Sequence, residues 1–132
     1  MTTLMLRWNE TAIGSRRRSV VVTGGLWTLQ ILSAAMFLFA GGLKLAGAPP
    51  MVQLFDVVGV GQWFRYLTGT IEVVSAVLLL IPSLAAYGAA ALVVTMIGAI
   101  FTHLFIVGGS PAIPIVLLAS TASIAWARRS GR

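Results

Sequence analysis

The chain has 132 residues, of which 9% are charged and 58% are hydrophobic, and it contains no cysteine. An ordinary soluble domain carries about 25% charged residues. The composition therefore excludes a normal soluble globule and is typical of a chain surrounded by lipid. The absence of cysteine excludes disulfides, thiol redox chemistry, iron–sulfur clusters and cysteine-based zinc sites, so any redox role would need a bound cofactor.

The N-terminal third predicts a basic tail followed by a transmembrane helix. Residues 1–19 are polar to basic and read as a cytoplasmic tail, and residues 20–45 carry no charge before Lys44. That length is enough to cross a hydrocarbon core of about 30 Å. A cleaved signal peptide is the competing interpretation, but the apolar stretch is longer than the roughly 7–15 residues of a signal-peptide core.

A short amphipathic helix is predicted after this span. Pro49 and Pro50 cannot continue the first helix, and apolar residues then recur at helical spacing from Met51 to Val58. Glycines 59 and 61 end the segment. We expect it to lie at the membrane interface, with Trp63 and Tyr66 as aromatic anchors.

Three further spans follow, at about residues 64–81, 85–107 and 112–127. Pro82 ends the second span, and a Gly-Gly-Ser-Pro turn separates the third from the fourth. Residues 128–132 form a basic C-terminus. The predicted fold class is therefore an all-α membrane protein, a four-transmembrane-helix bundle with an interfacial helix between helices 1 and 2.

The distribution of Lys and Arg predicts the orientation. Two cations, Lys44 and Arg65, lie in the first loop, whereas the termini hold Arg7, Arg16, Arg17, Arg18, Arg128, Arg129 and Arg132. The positive-inside rule then predicts that both termini lie in the cytoplasm and the amphipathic loop outside. The expected location is the cell inner (plasma) membrane. The net charge of +6 suggests nucleic acid as a partner, but the charges flank spans, so topology and attraction to anionic lipid explain them better.

Ionisable groups at membrane depth are expensive and are functional candidates by default. Glu72 is predicted about 12 Å below the outer interface. It shares one face of the second span with Arg65, Thr68 and Ser75, and we expect that face to point into the bundle.

The first and third spans carry polar stripes of their own. On the third, residues follow at intervals of four and end in an imidazole: Ala91, Thr95, Ala99 and His103. On the first, the stripe ends in an ammonium: Gln30, Ser33, Phe37, Gly41 and Lys44. The three ionisable groups are predicted to fall in the outer half of the membrane, which allows a single polar cluster but does not determine whether they touch.

The site prediction assigns the chemistry to Glu72, His103 and Lys44. The predicted substrate-binding residues surround them: Thr68, Ser75, Phe37, Gly41, Thr95, Ala99 and Arg65. The structural alternatives are that Glu72 hydrogen-bonds across helices or pairs with Lys44 or Arg65, and that Lys44 snorkels to the interface. No metal is assigned. His103 and Met96 stand on one helix and cannot grip both faces of a single haem, and a haem held by His103 at a subunit interface is a disfavoured alternative.

Several segments resemble the DoxX-like family of small four-helix membrane proteins. They are Phe39-Ala40-Gly41-Gly42-Leu43-Lys44-Leu45, then Gly69-Thr70-Ile71-Glu72 with Leu78-Leu79-Leu80-Ile81-Pro82, and Met96-Ile97-Gly98-Ala99 with Thr102-His103. The resemblance implies four crossings and an association with membrane redox or quinone-linked systems. The family also includes relatives thought to assist the assembly of other membrane proteins. Lys44, Glu72 and His103 are the polar positions it carries over, and the lack of cysteine departs from relatives proposed to work with thiols.

The leading hypothesis is a subunit of a membrane oxidoreductase that binds a quinone or similar lipophilic molecule in a pocket around Glu72, His103 and Lys44. One alternative is a stand-alone enzyme performing acid/base chemistry, such as isomerisation, ring opening or hydrolysis, on a lipophilic substrate. Another is a non-catalytic assembly factor or packing subunit. A transporter would need at least a dimer. The expected partners are the lipid bilayer, a lipophilic small molecule, other membrane subunits and further copies of the chain.

Overall fold

A computed structural model describes residues 2–129, apart from the side chain of Arg18. Five α-helices occur in this range, and no strand. They are α1 (Thr2–Ala46), α2 (Pro49–Val58), α3 (Gln62–Leu79), α4 (Ala85–Thr102) and α5 (Ala112–Arg128). A π-helical segment, His103–Val107, continues α4. The all-helical prediction is confirmed, and the predicted C-terminal positions beyond Arg129, including Arg132, lie outside the described residues.

The first helix begins much earlier than predicted. It runs without interruption from Thr2 to Ala46, so most of the basic segment 1–19 is helical and continuous with the predicted span. Nucleation is the costly step of helix formation, and extension of an existing helix costs little. The polar N-terminal residues therefore extend a helix whose apolar part is already formed. Residues 2–25 are exposed where their side chains are described.

The predicted amphipathic helix is confirmed as α2. It begins at Pro49 and Pro50, where proline needs no hydrogen-bonded N–H. It ends at Gly59, which adopts the left-handed conformation (φ 81°) and donates its N–H to the carbonyl of Phe55. Phe55 is buried and meets the ring of Phe64 on α3 edge to face, with centroids 5.9 Å apart. These contacts attach α2 to the end of α3.

Four helices pack in a closed ring. Helix α1 packs against α3, α3 against α4, α4 against α5, and α5 against α1, while α2 contacts α3, the π-helical segment and α1. Small and aliphatic residues fill the centre: Ala34, Phe37, Ala76, Leu79, Ala85, Ala89, Leu92, Met96 and Ile124. The predicted site residues therefore lie on neighbouring helices of one bundle.

Two of the described helices are long and apolar enough to cross a membrane. By length and composition they are α1 and the combined segment Ala85–Val107, and α5 is a shorter apolar helix. The combined segment Ala85–Val107 has the bounds of the third predicted span. Its last five residues are π-helical, and the N–H of Gly108 donates to the carbonyl of His103, five residues earlier, at 3.0 Å. Gly108 and Gly109 then turn the chain with positive φ angles of 79° and 80°.

Two of the three predicted polar stripes point into the bundle. Arg65, Glu72 and Ser75 are buried on α3, and on α1 four members of the stripe are buried: Gln30, Ser33, Phe37 and Gly41. The stripe of α4 differs from the prediction, because Ala91, Thr95, Ala99 and His103 are only half-buried. The adjacent face of α4, with Ala89, Leu92 and Met96, is buried in its place. Burial of apolar side chains is more favourable in free energy than burial of a hydroxyl or an imidazole.

Candidate functional site

The structure joins Lys44 to Glu72 in a buried ion pair. The Nζ of Lys44 lies 3.1 Å from Oε2 of Glu72, and their side chains are 12% and 3% exposed. Lys44 stands in the last turn of α1, where a cation is favoured by the helix dipole. Glu72 stands in the middle of α3. The pair therefore bridges the two helices, as one of the structural alternatives predicted.

A close approach of the two backbones makes this pair reachable. A Cβ atom added to Gly41 on α1 would lie 2.9 Å from the carbonyl oxygen of Gly69 on α3, and 3.1 Å from Cβ of Glu72. A Cβ on Gly69 would lie 3.0 Å from Cβ of Lys44. Only glycine leaves enough space at both positions. The two glycines thus set the helix separation at which the ammonium meets the carboxylate.

Arg65 covers the same end of α1 without touching the carboxylate. Its Nη1 donates to the backbone carbonyl of Lys44, and its Nε donates to Oε1 of Gln62 at 2.7 Å. Its side chain is buried, and its guanidinium carbon lies 4.3 Å from the ring centre of Tyr66. A helix leaves its last carbonyls unpaired. Arg65 satisfies one of them and so caps α1 directly above the ion pair.

Gln62 links this arrangement to α2. Its Nε2 donates to the carbonyl of Val52 at 3.0 Å and to Oδ1 of Asp56 at 2.8 Å. The polar groups therefore run from Asp56 through Gln62 and Arg65 to the end of α1. Two cations, Lys44 and Arg65, stand with the two carboxylates of Glu72 and Asp56, so the formal charge of this end sums to zero.

His103 lies at the junction of α4 and the π-helical segment. Its Nδ1 is 2.9 Å from the carbonyl oxygen of Ala99, one turn earlier. A carbonyl only accepts, so Nδ1 carries the proton and Nε2 is the nitrogen left for other chemistry. Within residues 2–129 no hydrogen bond joins the imidazole to Lys44 or Glu72. The structure therefore brings together two of the three predicted catalytic side chains, and the role of His103 stays a prediction.

Two of the three predicted substrate-binding hydroxyls, those of Thr68 and Thr95, are occupied within their own helices. Thr68 donates to the carbonyl of Phe64, and Thr95 to that of Ala91, each at 2.8 Å. Ala99 serves as the acceptor of His103. Such bonds to the preceding turn are the usual state of hydroxyls within helices. A ligand would have to compete with these bonds or share their acceptors.

Two other predicted binding residues are part of the packing. Phe37 is 1% exposed and belongs to the apolar core, and Ser75 is 4% exposed on α3. The backbone of α4 comes close there, because a Cβ on Gly88 would lie 2.7 Å from the carbonyl oxygen of Ser75. Phe37, Ser75 and Gly41 therefore support the walls of the site.

A second polar cluster, which the sequence analysis did not predict as a unit, lies at the other end of the bundle. Gln30 is fully buried, and its Nε2 donates to the carbonyl of Leu79 at 2.6 Å. Arg128 donates from Nε to Oε1 of Gln30 at 3.0 Å and stands 5.6 Å from the ring centre of Trp27. The place of Gln30 on the polar stripe was the available signal. Its partner on α5 could not be identified before the helix order was known.

A groove opens between α1 and α5 above this cluster. Its volume is about 400 Å³. Its walls are almost entirely apolar, and nine residues line it: Leu29, Leu32, Ser33, Met36, Ala112, Ile113, Val116, Leu117 and Ser120. Among the described residues, no three His, Asp or Glu side chains gather as a metal site would require.

One comparison with known proteins identifies a family. The model of the DoxX-like family matches residues 28–126, which include α3 and α4 entirely, the second part of α1, most of α5 and the Lys44–Glu72 pair. No curated protein and no solved structure matches the chain.

Proposed function

The chain belongs to the DoxX-like family, and from this membership and the buried Lys44–Glu72 pair we propose a four-span membrane protein that binds a lipophilic small molecule. The four crossings would be the second half of α1, α3, Ala85–Val107 and α5, with α2 at the outer interface. Both termini would lie in the cytoplasm of the cell inner membrane. The arginines at both ends of the chain support this orientation.

The observation that carries the functional proposal is an ion pair placed between apolar helices. Charged side chains within a membrane cost several kcal/mol, about 2.5–3.5 each by insertion scales. A packing role alone could be filled by apolar residues of similar size. The presence of an ammonium and a carboxylate at one level of the bundle favours a chemical role for them.

We propose a quinone-like molecule as the ligand and a membrane oxidoreductase as the system served. A quinone carbonyl accepts hydrogen bonds, and its reduction takes up protons. The ammonium of Lys44 can donate to such a carbonyl, and Glu72 can hold or release a proton beside it. His103, with Nε2 uncommitted, would be the second proton-handling group if the ligand reaches it.

A packing or assembly subunit is the second candidate. It is favoured by the fact that Lys44 and Glu72 already satisfy each other and that Gly41 and Gly69 hold α1 and α3 close together. In this case the pair would act as a lock between helices. Its chemical reactivity would be irrelevant.

Glu72→Gln separates the two candidates. Glutamine keeps the shape and can still accept a hydrogen bond from Lys44, but it cannot exchange a proton. We expect quinone binding to the reconstituted protein to weaken by about tenfold or more, since a hydrogen-bonded charge is lost. Glu10→Gln, the same change at an exposed acid of α1, is the control and should bind as the parent does.

The readout is quinone affinity in lipid nanodiscs together with quinone-dependent electron transfer in membranes that contain the protein. Equal affinity and equal electron transfer in Glu72→Gln and the parent would refute the quinone proposal. Retained folding and retained partner association with those equal values would favour the packing subunit.

A further inference from the structure

The first half of α1 extends beyond the bundle. Helix α1 runs without interruption from Thr2 to Ala46, but every described side chain from residue 2 to residue 25 is exposed. Partial burial begins at Leu26, and from there to Lys44 the helix rises about 27 Å, close to the thickness of a hydrocarbon core. Residues 2–25 therefore add about 35 Å of helix that the bundle does not cover.

This projecting segment carries apolar side chains that no other helix covers. Leu4, Met5 and Trp8 are 60%, 69% and 71% exposed. Leu4 and Trp8 stand four residues apart and so lie on one face, with Met5 beside them. Leu6 and Ile13 are also exposed and flank this face. Exposed apolar residues in such number mark a surface that contacts lipid or another macromolecule.

The same segment is strongly basic. Residues 2–19 contain four arginines and one glutamate, which gives a formal charge of +3, and three of the arginines are consecutive at positions 16–18. Among the described side chains, Arg7, Arg16 and Arg17 form no ion pair with a carboxylate. Basic clusters beside a membrane-spanning helix are attracted to anionic lipid headgroups. The charge therefore favours an anionic partner for this segment.

Two glycines separate the projecting segment from the packed part of α1. Gly24 and Gly25 directly precede Leu26, and a Cβ at either would meet no atom within 4 Å. No close contact requires glycine there, and glycine weakens a helix relative to alanine. The hydroxyl of Thr28 donates to the carbonyl of Gly24 at 2.9 Å, so this carbonyl keeps a donor when a bend breaks its bond to the N–H of residue 28. Glycine pairs of this kind are common sites of helix bending.

We propose that residues 2–18 form a surface helix that binds anionic phospholipids of the adjacent leaflet, after a bend of α1 at Gly24 and Gly25. The apolar side chains of the segment enter the boundary between headgroups and acyl chains, and its arginines contact lipid phosphates. The proposal rests on the crossing of the bilayer by α1, which is part of the proposed function, but not on the ligand of the buried ion pair.

An anionic leaflet satisfies both features of the segment. Nucleic acid would pair with the arginines but would leave Leu4 and Trp8 in water. A second copy of the segment could cover the apolar face, but it would bring two charges of +3 together, and like charges repel. A membrane that contains anionic lipid supplies an apolar region and phosphates side by side.

The test is a measurement of depth on the full-length protein in lipid nanodiscs. One sample contains phosphatidylcholine alone, and the other contains phosphatidylcholine mixed with phosphatidylglycerol. The chain has no cysteine, so Met5→Cys provides a single site for a nitroxide spin label. Collisions of the label with oxygen report lipid, and collisions with a water-soluble nickel complex report water.

Two further labelled positions are controls. Thr3→Cys lies on the far side of the helix from position 5, and Val94→Cys lies on the exposed face of α4. In the anionic nanodiscs we expect the label at position 5 to be protected from nickel and the label at position 3 to remain accessible to it. In phosphatidylcholine alone both labels should contact nickel. The label at position 94 should report lipid in both samples.

Two variants test the charge and the bend. Arg17→Gln should shift the segment toward water by about fivefold in its equilibrium constant, whereas Arg129→Gln, at an exposed arginine of the other terminus, should not. Gly24→Ala with Gly25→Ala should keep α1 straight and shift the same equilibrium by about tenfold or more. Gly42→Ala, at an open position in the packed part of α1, is the control and should have no effect.

Four outcomes overturn the proposal. The first is a label at position 5 that contacts nickel in the anionic nanodiscs, and the second is equal protection in both lipid compositions. The third is protection unchanged in both Arg17→Gln and the double glycine variant. The fourth is spin–spin broadening that disappears on dilution with unlabelled protein, which identifies contact between copies.

The label at position 94 separates this proposal from the proposed function. If it reports lipid while the label at position 5 reports water, only the surface helix is refuted, and the four-span bundle stands. If it contacts nickel, the crossing of the bilayer is refuted, and both proposals fail together. Binding of duplex DNA without protection of position 5 by anionic lipid would identify nucleic acid as the partner instead.

Discussion

Gly41→Ala tests whether the contact of α1 with α3 is as close as the structure indicates. The added Cβ would lie 2.8 Å from Cγ2 of Val73 and 2.9 Å from the carbonyl oxygen of Gly69. The valine methyl group can rotate away, but the carbonyl belongs to the backbone of α3. The two helices must therefore separate, and overpacking of this kind costs about 1–3 kcal/mol. Separation would also lengthen the ion pair of Glu72.

Gly42→Ala is the matched control, because a Cβ at Gly42 meets no atom within 4 Å. Both substitutions gain the same helix propensity, about 1 kcal/mol. The difference between the two variants therefore isolates the steric cost, and we expect Gly41→Ala to be less stable than Gly42→Ala by about 1–3 kcal/mol.

The assay is equilibrium unfolding in mixed micelles, followed by far-ultraviolet circular dichroism, with the free energies of unfolding compared at one detergent composition. A Gly41→Ala variant as stable as Gly42→Ala would refute the close contact, and with it the explanation of how Lys44 reaches Glu72.

Three further predictions use the same unfolding assay. Lys44→Met should lower the free energy of unfolding by about 3–5 kcal/mol, because the carboxylate of Glu72 is left buried without its partner. The double variant Lys44→Met with Glu72→Leu should recover much of that loss. A double variant no more stable than Lys44→Met alone would contradict the ion pair. Gln30→Leu should cost about 1–3 kcal/mol through a buried carbonyl that loses its donor, and a stability equal to that of the parent would argue against the buried bond. Gly88→Ala should destabilise the bundle by about 1–3 kcal/mol, since its Cβ would lie 2.7 Å from a backbone oxygen of α3. Gly98→Ala is the control and should not destabilise it, because a Cβ at Gly98 meets no atom within 4 Å. Equal effects of the two substitutions would count against the close contact of α3 with α4.

The predicted elements agree best where the chain carries strong local signals. The start of α5 follows Pro111, α2 begins at a pair of prolines, and its end coincides with Gly59. These residues restrict the backbone whatever surrounds them. Helix α1 begins before the predicted span, because no proline interrupts residues 2–19 and the change from polar to apolar residues at 20 does not end a helix.

The candidate site was predictable in its members more than in its contacts. The predicted depth of Glu72 and its place on a polar face marked it as interior, and Lys44 and Arg65 were both available as partners. The structure selects Lys44 for the ion pair and assigns Arg65 to the last turn of α1. Lys44 reaches Glu72 because α1 and α3 lie close together, and this close approach depends on the contact between Gly41 and Gly69.

The sequence by itself determined that the chain is helical, where the helices turn, and which face of α1 and α3 is polar, because these properties depend on neighbours a few positions away along one chain. The tertiary structure alone decided that Lys44 meets Glu72, that Arg128 meets Gln30, and that a groove opens beside Ser33. Those contacts depend on the order, rotation and spacing of helices far apart in sequence. A periodic pattern records which face is buried but not which residue stands opposite it.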